Sequence, residues 1–308
     1  MFLGLGWVSN VSKCTFIIIL IIFTAVISHG AEVAITIDDF NLSNSIGMEP
    51  LKRNSEILSV LKKNQIKAIG FVTTKYLNDP KALNAVKAWS SAGHIVGNHT
   101  ENHWKYNDKT LHEFSADILV ADKKLQQFPT FQKIFRFPYL KEGDSVEKRD
   151  GMRDFLKDND YTNGHVSIDA SDWYVNMRLI EKIKKGDKVD YEKYRDFYLK
   201  HMWDRSDYYS KLAQKTLGKD IKHTVLLHHN LTTALFLDDL IKMYKQKGWK
   251  VIYAEEAFKD GVYKRTPKNI PAGESILWAI AKEKGDSSLR YPAEDSIYEK
   301  DEMDRLGL

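Results

Sequence analysis

Val33-Ala34-Ile35-Thr36-Ile37-Asp38-Asp39 is a run of β-branched and small apolar residues halted by two carboxylates. Such a run reads as a buried strand whose end is polar. The segments after it repeat the pattern with helices between. Residues 51–63 carry Leu51, Ile57, Leu58 and Leu61 at helical spacing, residues 66–72 return to strand character, residues 80–89 are helical again, and residues 94–96 form a very short strand before Gly97. A βαβαβ rhythm predicts an α/β chain built on a parallel sheet or barrel.

The rhythm continues to the far end. Helices are expected over residues 111–125, 146–157 and 233–246, with one long charged, aromatic helical stretch over residues 179–217. Strands are expected over residues 133–136, 164–168, 224–227 and 250–253, followed by a short helix. The pattern breaks near Pro267, after which residues 272–284 read as a terminal helix. One domain over residues 31–284 and a charged, loosely held tail over residues 285–308 is the simplest division.

Composition narrows the class. The chain has 308 residues, 43% hydrophobic and 29% charged, which excludes wholesale disorder. Its net charge of +4 is small and the charges are interspersed, so no nucleic-acid or anionic-membrane footprint is expected. Residues 1–30 differ: Lys13 is the only charge, residues 14–27 are almost wholly apolar, and Ser28 and Gly30 suit a cleavage site. These residues read as a secretory signal peptide, which makes the protein exported, secreted or periplasmic. An uncleaved membrane anchor is the competing reading. Cys14, the single cysteine, lies in that segment, so cleavage leaves no disulfide, cysteine nucleophile or cysteine metal site.

The polar residues at strand ends carry the chemistry. His99 and His103 stand four apart, and on one helical turn both rings share a face and can meet one ion. A catalytic zinc-type site needs a third protein ligand and an open position, and either Asp38 or Asp39 can supply it. Adjacent aspartates at a strand end point apart, so one can hold metal while its neighbour takes a proton from water. His228 offers an acid for the leaving group, with Asp172 as the carboxylate for its other nitrogen, although neighbouring His229 leaves open which ring faces the site. Arg136 can pair with Asp38. In parallel barrels such strand ends face one cleft.

Thr36-Ile37-Asp38-Asp39, His99-Thr100-Glu101-Asn102-His103, Arg136-Phe137-Pro138-Tyr139, Asp169-Ala170-Ser171-Asp172-Trp173 and Leu226-Leu227-His228 together resemble the five ordered motifs of the polysaccharide deacetylase family, carbohydrate esterase family 4. They span about two thirds of the chain. The resemblance implies a distorted, incomplete (β/α) barrel. It implies that Asp39, His99 and His103 hold a divalent metal, usually zinc, that Asp38 is the catalytic base, and that Arg136 orients it. Tyr139 would offer its main-chain N–H to the oxyanion, Asp172 would support His228 as catalytic acid, Trp173 would wall the sugar groove, and Thr100 would hold the loop between the histidines. Two departures stand out: Phe40 replaces the glycine that most often follows the paired aspartates, a bulky ring beside the base that is expected to narrow or reshape the entrance, and His229 adjoins the acid.

The activity implied is removal of N-acetyl groups from N-acetylglucosamine-type units of a chitin-like polymer, peptidoglycan or exopolysaccharide. O-acetyl ester hydrolysis, or carbohydrate binding without turnover, are the alternatives on the same fold. The aromatic residues between the fourth and fifth motifs, such as Tyr194, Tyr198 and Trp203, are expected to pack the core in preference to forming a sugar platform.

Overall fold

The computed structural model describes Met1, Phe2, Gly4 and residues 30–308, so the expected signal segment and Cys14 lie outside the described residues. Among the described residues no helix is long and apolar enough to cross a membrane. The first half alternates β1 (Glu32–Asp39), α1 (Pro50–Lys63), β2 (Ile69–Val72), α2 (Pro80–Ser91), β3 (Ile95–Asn98), α3 (Leu111–Leu125) and β4 (Phe131–Phe135). Next come β5 (Lys141–Gly143), α4 (Val146–Asp158), β6 (Thr162–Asn163), α5 (Asp172–Lys184), α6 (Tyr191–Leu217), β7 (Lys222–His228) and α7 (Leu231–Gln246). The chain closes with β8 (Lys250–Ile252), α8 (Ala254–Phe258), β9 (Ala272–Gly273), α9 (Ile276–Glu283) and α10 (Lys300–Leu306).

Sequence chemistry explains the boundaries. Asp79 caps α2 by accepting from the Lys81 N–H, with Pro80 at the first helical position where its missing donor costs nothing. Thr110 and Glu113 form a reciprocal capping box that starts α3. Gly218 ends α6 in the left-handed conformation that a side chain disfavours.

The strands form one parallel sheet in the order β6-β4-β3-β2-β1-β7. β7 runs along one edge of β1, while β2 pairs with the second half of the other edge and β8 with the first half. The sheet curls into a half-barrel surrounded by helices. Along β1 the side chains alternate: Val33, Ile35 and Ile37 join Ile57, Leu61, Trp89 and Leu237 in the main core, while Ala34 packs inward with Ile69 and Phe71. Thr36 and Asp38 share that inner side, and both meet Arg136. Period-two alternation therefore delivers Asp38 to the interior.

Several expectations need correction. Residues 164–168 are not a strand: only an isolated bridge, Ile168 to Val225, joins them to β7. Their carbonyls are taken elsewhere, with Gly164 O accepting from Arg136, Val166 O from the Ile276 N–H and Ser167 O from Ser275. This seam is where the barrel stays incomplete. The helical stretch expected from residue 179 begins at Asp172 and is two helices, α5 and α6. Residues 272–284 are a two-residue strand, β9, and then the helix α9.

The charged residues 285–308 are not loosely held. Ala293, Met303 and Leu308 are buried in the main core, Trp278 Nε1 donates to Arg290 O at 2.8 Å, and Arg178 and Lys182 hold the carbonyls of Leu308 and Gly307. Charge in the sequence masked the apolar residues that anchor this segment. Tyr174, Tyr194, Phe197, Tyr198 and Tyr209 of α5 and α6 pack inward and are buried, while Trp173 and Tyr191 of the same helices are exposed.

Candidate active site

Asp38 is the penultimate residue of β1 and stands opposite His228 on β7, in register across the sheet. It is 2% exposed. Its Oδ1 accepts a 2.8 Å charge-assisted bond from Arg136 Nη1, whose guanidinium also donates to Thr36 Oγ1 and Gly164 O and lies 4.0 Å over the Phe71 ring. Arg136 is thereby fixed on three sides. Burial presses its charge-holding power down, and Asp38 opposes that shift.

Asp39 is not placed by strand alternation. It and Phe40 adopt left-handed backbone, at φ 78° and 54°, so the chain turns sharply and brings the Asp39 carboxylate back beside Asp38. Both approach one imidazole: His99 Nε2 lies 3.5 Å from Asp39 Oδ1 and 3.8 Å from Asp38 Oδ2. The same turn drives Phe40 inward. Its ring is buried against Trp89 and His229, and a Cβ built on Gly70 would lie 2.6 Å from it, so Gly70 is the space Phe40 needs. The expectation that Phe40 narrows the entrance is therefore wrong.

His99 and His103 do not sit on a helical turn. The connection is a loop in which Thr100 and His103 are left-handed. Asn98 Oδ1 accepts from the Thr100 N–H at 2.8 Å, Thr100 Oγ1 from the His103 N–H at 2.9 Å, and Asp117 from the N–H groups of Glu101 and Asn102. Side chains satisfy the loop where a helix would have used its own carbonyls. His99 Nδ1 stands 2.8 Å from Arg136 O, so Nδ1 carries the proton and Nε2 presents its lone pair to the cleft. His103 Nε2 reaches Asp39 Oδ1 at 3.1 Å.

One ligand atom from each of Asp39, His99 and His103 lies within 4.8 Å of the others. Asp39 Oδ1 is buried without a hydrogen-bond partner, an orphaned acceptor aimed between two imidazoles. Burial raises its affinity for a proton, but the two histidines outweigh this and hold the carboxyl well below the usual range. One carboxylate oxygen and two imidazole nitrogens are a zinc-type donor set, and bonds of about 2.0 Å to a tetrahedral ion put ligand atoms roughly 3.3 Å apart. The 3.1 and 3.5 Å separations from Asp39 Oδ1 fit. The residues present suit a divalent cation.

Across the cleft, a buried carboxylate holds His228. Asp172 is fully buried in the first turn of α5; its Oδ1 lies 2.7 Å from His228 Nδ1, and its Oδ2 accepts the His228 main-chain N–H at 2.9 Å. The helix N-terminus favours its negative charge. Burial disfavours the imidazolium, yet Asp172, with Asp39 and Asp38 further off, pushes the His228 pKa up to about 10. His229 is the opposite case. It is buried, meets Asn54 Oδ1 at 3.0 Å through Nε2, and burial brings it down to about 3, so it is a neutral core ring. Of the two imidazoles, His228 faces the cleft.

The cleft has a volume of about 600 Å³ and joins all of these groups. Tyr139 and Trp173 lie on its rim, 59% and 39% exposed, and the Tyr139 ring packs edge-on to His103 at 4.8 Å. Tyr139 is left-handed at φ 57°. Sequence reasoning missed one wall, made by Glu274, Tyr291, Pro292, Glu294 and Asp295 beside Asp169 of the fourth motif. Glu274 pairs with Lys141 and accepts the Ala293 N–H at 3.0 Å, which pins that segment to the barrel. Asp169 is raised to about 7 by burial and by Glu274. Only the apolar residues Ala293 and Met303 hinted that the segment docks.

Residues 27–156 match the family model described as polysaccharide deacetylase. That match covers less than half of the chain, and over it the sequence is similar to the polysaccharide deacetylase family. It is 28% identical over 144 residues to a peptidoglycan-N-acetylglucosamine deacetylase of Bacillus cereus, a match covering 46% of each protein. The chain therefore spans about half the length of that curated relative. Among solved structures it shares its fold with the chitin deacetylase of Colletotrichum lindemuthianum, with a TM-score of 0.54, 18% identity, and coverage of 80% of this chain and 92% of that one. A family 4 pseudoenzyme of Bacillus anthracis superposes with a TM-score of 0.52, 19% identity, and coverage of 74% and 65%. The chain thus shares its curled half-barrel with a chitin deacetylase and with a pseudoenzyme alike. Its own side chains must decide between them.

Proposed function

We propose that the protein is a metal-dependent hydrolase that removes N-acetyl groups from N-acetylglucosamine-type units of a polysaccharide outside the cytoplasm. The observation that carries this is the convergence of Asp39, His99 and His103 within 4.8 Å, flanked by the Asp38–Arg136 pair and the His228–Asp172 pair. A base, an acid and three metal donors line one cleft. The apolar run of residues 14–27 supports export.

Asp39, His99 and His103 would hold the cation, zinc by its donor set, which when bound supplies a Lewis acid and acidifies a water. With Oδ1 occupied by Arg136, Asp38 uses Oδ2 to take the proton of the attacking water. The Tyr139 main-chain N–H is the donor for the oxygen of the tetrahedral intermediate. As the C–N bond breaks, His228 passes its Nε2 proton to the departing amine while Asp172 keeps Nδ1–H in place, giving acetate and a free amino sugar. Trp173 offers a face for a sugar ring.

Acetate release from chitin oligomers, peptidoglycan and a poly-N-acetylglucosamine, assayed with zinc supplied, tests the reading. Release that Asp38→Asn abolishes while sugar binding survives supports it. No release from any of the three, or binding with no turnover to lose, overturns it.

A further inference from the structure

The charges that are interspersed along the sequence are not evenly spread over the fold. A groove of about 460 Å³ between α4 and the loop after α8 has Arg149, Arg153 and Lys157 on one wall and Lys264, Arg265 and Lys268 on the other. Asp150 and Asp154 are the carboxylates of its lining. Six cations against two carboxylates give the groove a net +4, as large as the charge of the whole chain.

The two walls are fastened together, because Arg149 donates to the Lys268 carbonyl as well as to Asp150. Arg153 lies 3.5 Å from Glu142. Among the described residues Lys157, Lys264, Arg265 and Lys268 form no ion pair with a carboxylate, and of these Lys268 lies close enough to Asp150 to act on its charge. Like charges gathered in a concavity repel one another and attract an anion strongly.

We propose that this groove binds a linear phosphodiester-linked polyanion, a ligand separate from the deacetylation substrate. Arg149, Arg153 and Lys157 recur every four residues on one face of α4, which spreads cations over roughly 12 Å. A single phosphate covers one step of that ladder; a chain of them follows it. Leu156, Tyr161 and Tyr263, the large apolar residues of the lining, are buried, so the groove offers neither an apolar wedge to a lipid surface nor an aromatic platform to nucleic-acid bases.

The groove also backs onto the catalytic cleft. Arg153 and His165 wall a cavity of about 10 Å³ whose other side is Glu274, itself part of the cleft. A polyanion held here would keep the enzyme beside a glycan that carries or adjoins it.

The test is fluorescence anisotropy of a labelled poly(glycerol phosphate) chain with the purified protein, the triple variant Lys157→Glu, Arg265→Glu, Lys268→Glu, and the milder triple glutamine variant. The wild type is expected to bind at about 50 mM salt and to weaken at least about tenfold by about 200 mM. The glutamate variant should lose at least about tenfold in affinity and the glutamine variant less, with thermal midpoints and acetate release from soluble chitin oligomers unchanged. Unaltered affinity in both variants overturns the proposal. Inorganic phosphate competing equally at matched phosphate concentration would reduce the groove to a single-anion site, and tighter binding to phosphatidylglycerol vesicles would make it a lipid surface; either result contradicts the polymer.

Discussion

Asp39 and Phe40 show how much of this site rests on two backbone angles. Left-handed conformations at successive non-glycine residues are strained, and the strain is held here by the Phe40 ring packed into the core. Phe40→Ala should lower the unfolding free energy by about 3 kcal/mol in denaturant titration. Because the ring is not at the entrance, KM for acetylated oligomers should stay within about twofold. A second prediction concerns His228. With its pKa pushed up to about 10 against the effect of burial, the acid is protonated across neutral pH and is lost only as pH rises through that value. Asp172→Asn removes the chief support, so the alkaline limb of the rate profile should move to lower pH and kcat should fall roughly 10²- to 10⁴-fold. A limb that stays in place would show that another group is the acid. Asp38, Asp39, His99 and His228 stood out in the sequence because each follows a strand-like run, and His103 because it lies four residues after His99. Their geometry was not, since nothing local announces that Asp39, Thr100 and His103 turn left-handed.

Elements with a strict period were readable and those held by long-range contacts were not. α3 has its expected bounds because its capping box and apolar spacing are both local. α5 begins at Asp172, before the span expected from the sequence, since the chief use of Asp172 is tertiary: it accepts from His228, 56 residues away. Residues 164–168 had strand composition, but side chains and the α9 region claim their carbonyls. The segment after residue 285 was misread for the complementary reason, with a few buried apolar anchors scattered among many charges. Met303→Ala, at a fully buried position, should cost about 2–4 kcal/mol of stability by chemical denaturation. A cost near zero would mean that the segment is held loosely after all.

At the scale of the whole molecule, the parallel half-barrel brings the ends of β1, β3, β4 and β7 to one rim, and the docked C-terminal segment walls the cleft that forms there. Fold class followed from the alternation of elements, and the position of the site followed from fold class. A ligand that binds only this assembled rim must stabilise it by mass action: zinc at 100 times its Kd should add about 2.7 kcal/mol to the unfolding free energy. The central claim is that Asp39, His99 and His103 grip one cation, and zinc titration of the metal-stripped chain by calorimetry, with His99→Ala and Asp39→Asn alongside, tests it most directly. One zinc per wild-type chain, with affinity collapsing in both variants, is the predicted result; a wild type that takes up no zinc, or variants that bind it as the wild type does, would contradict the account.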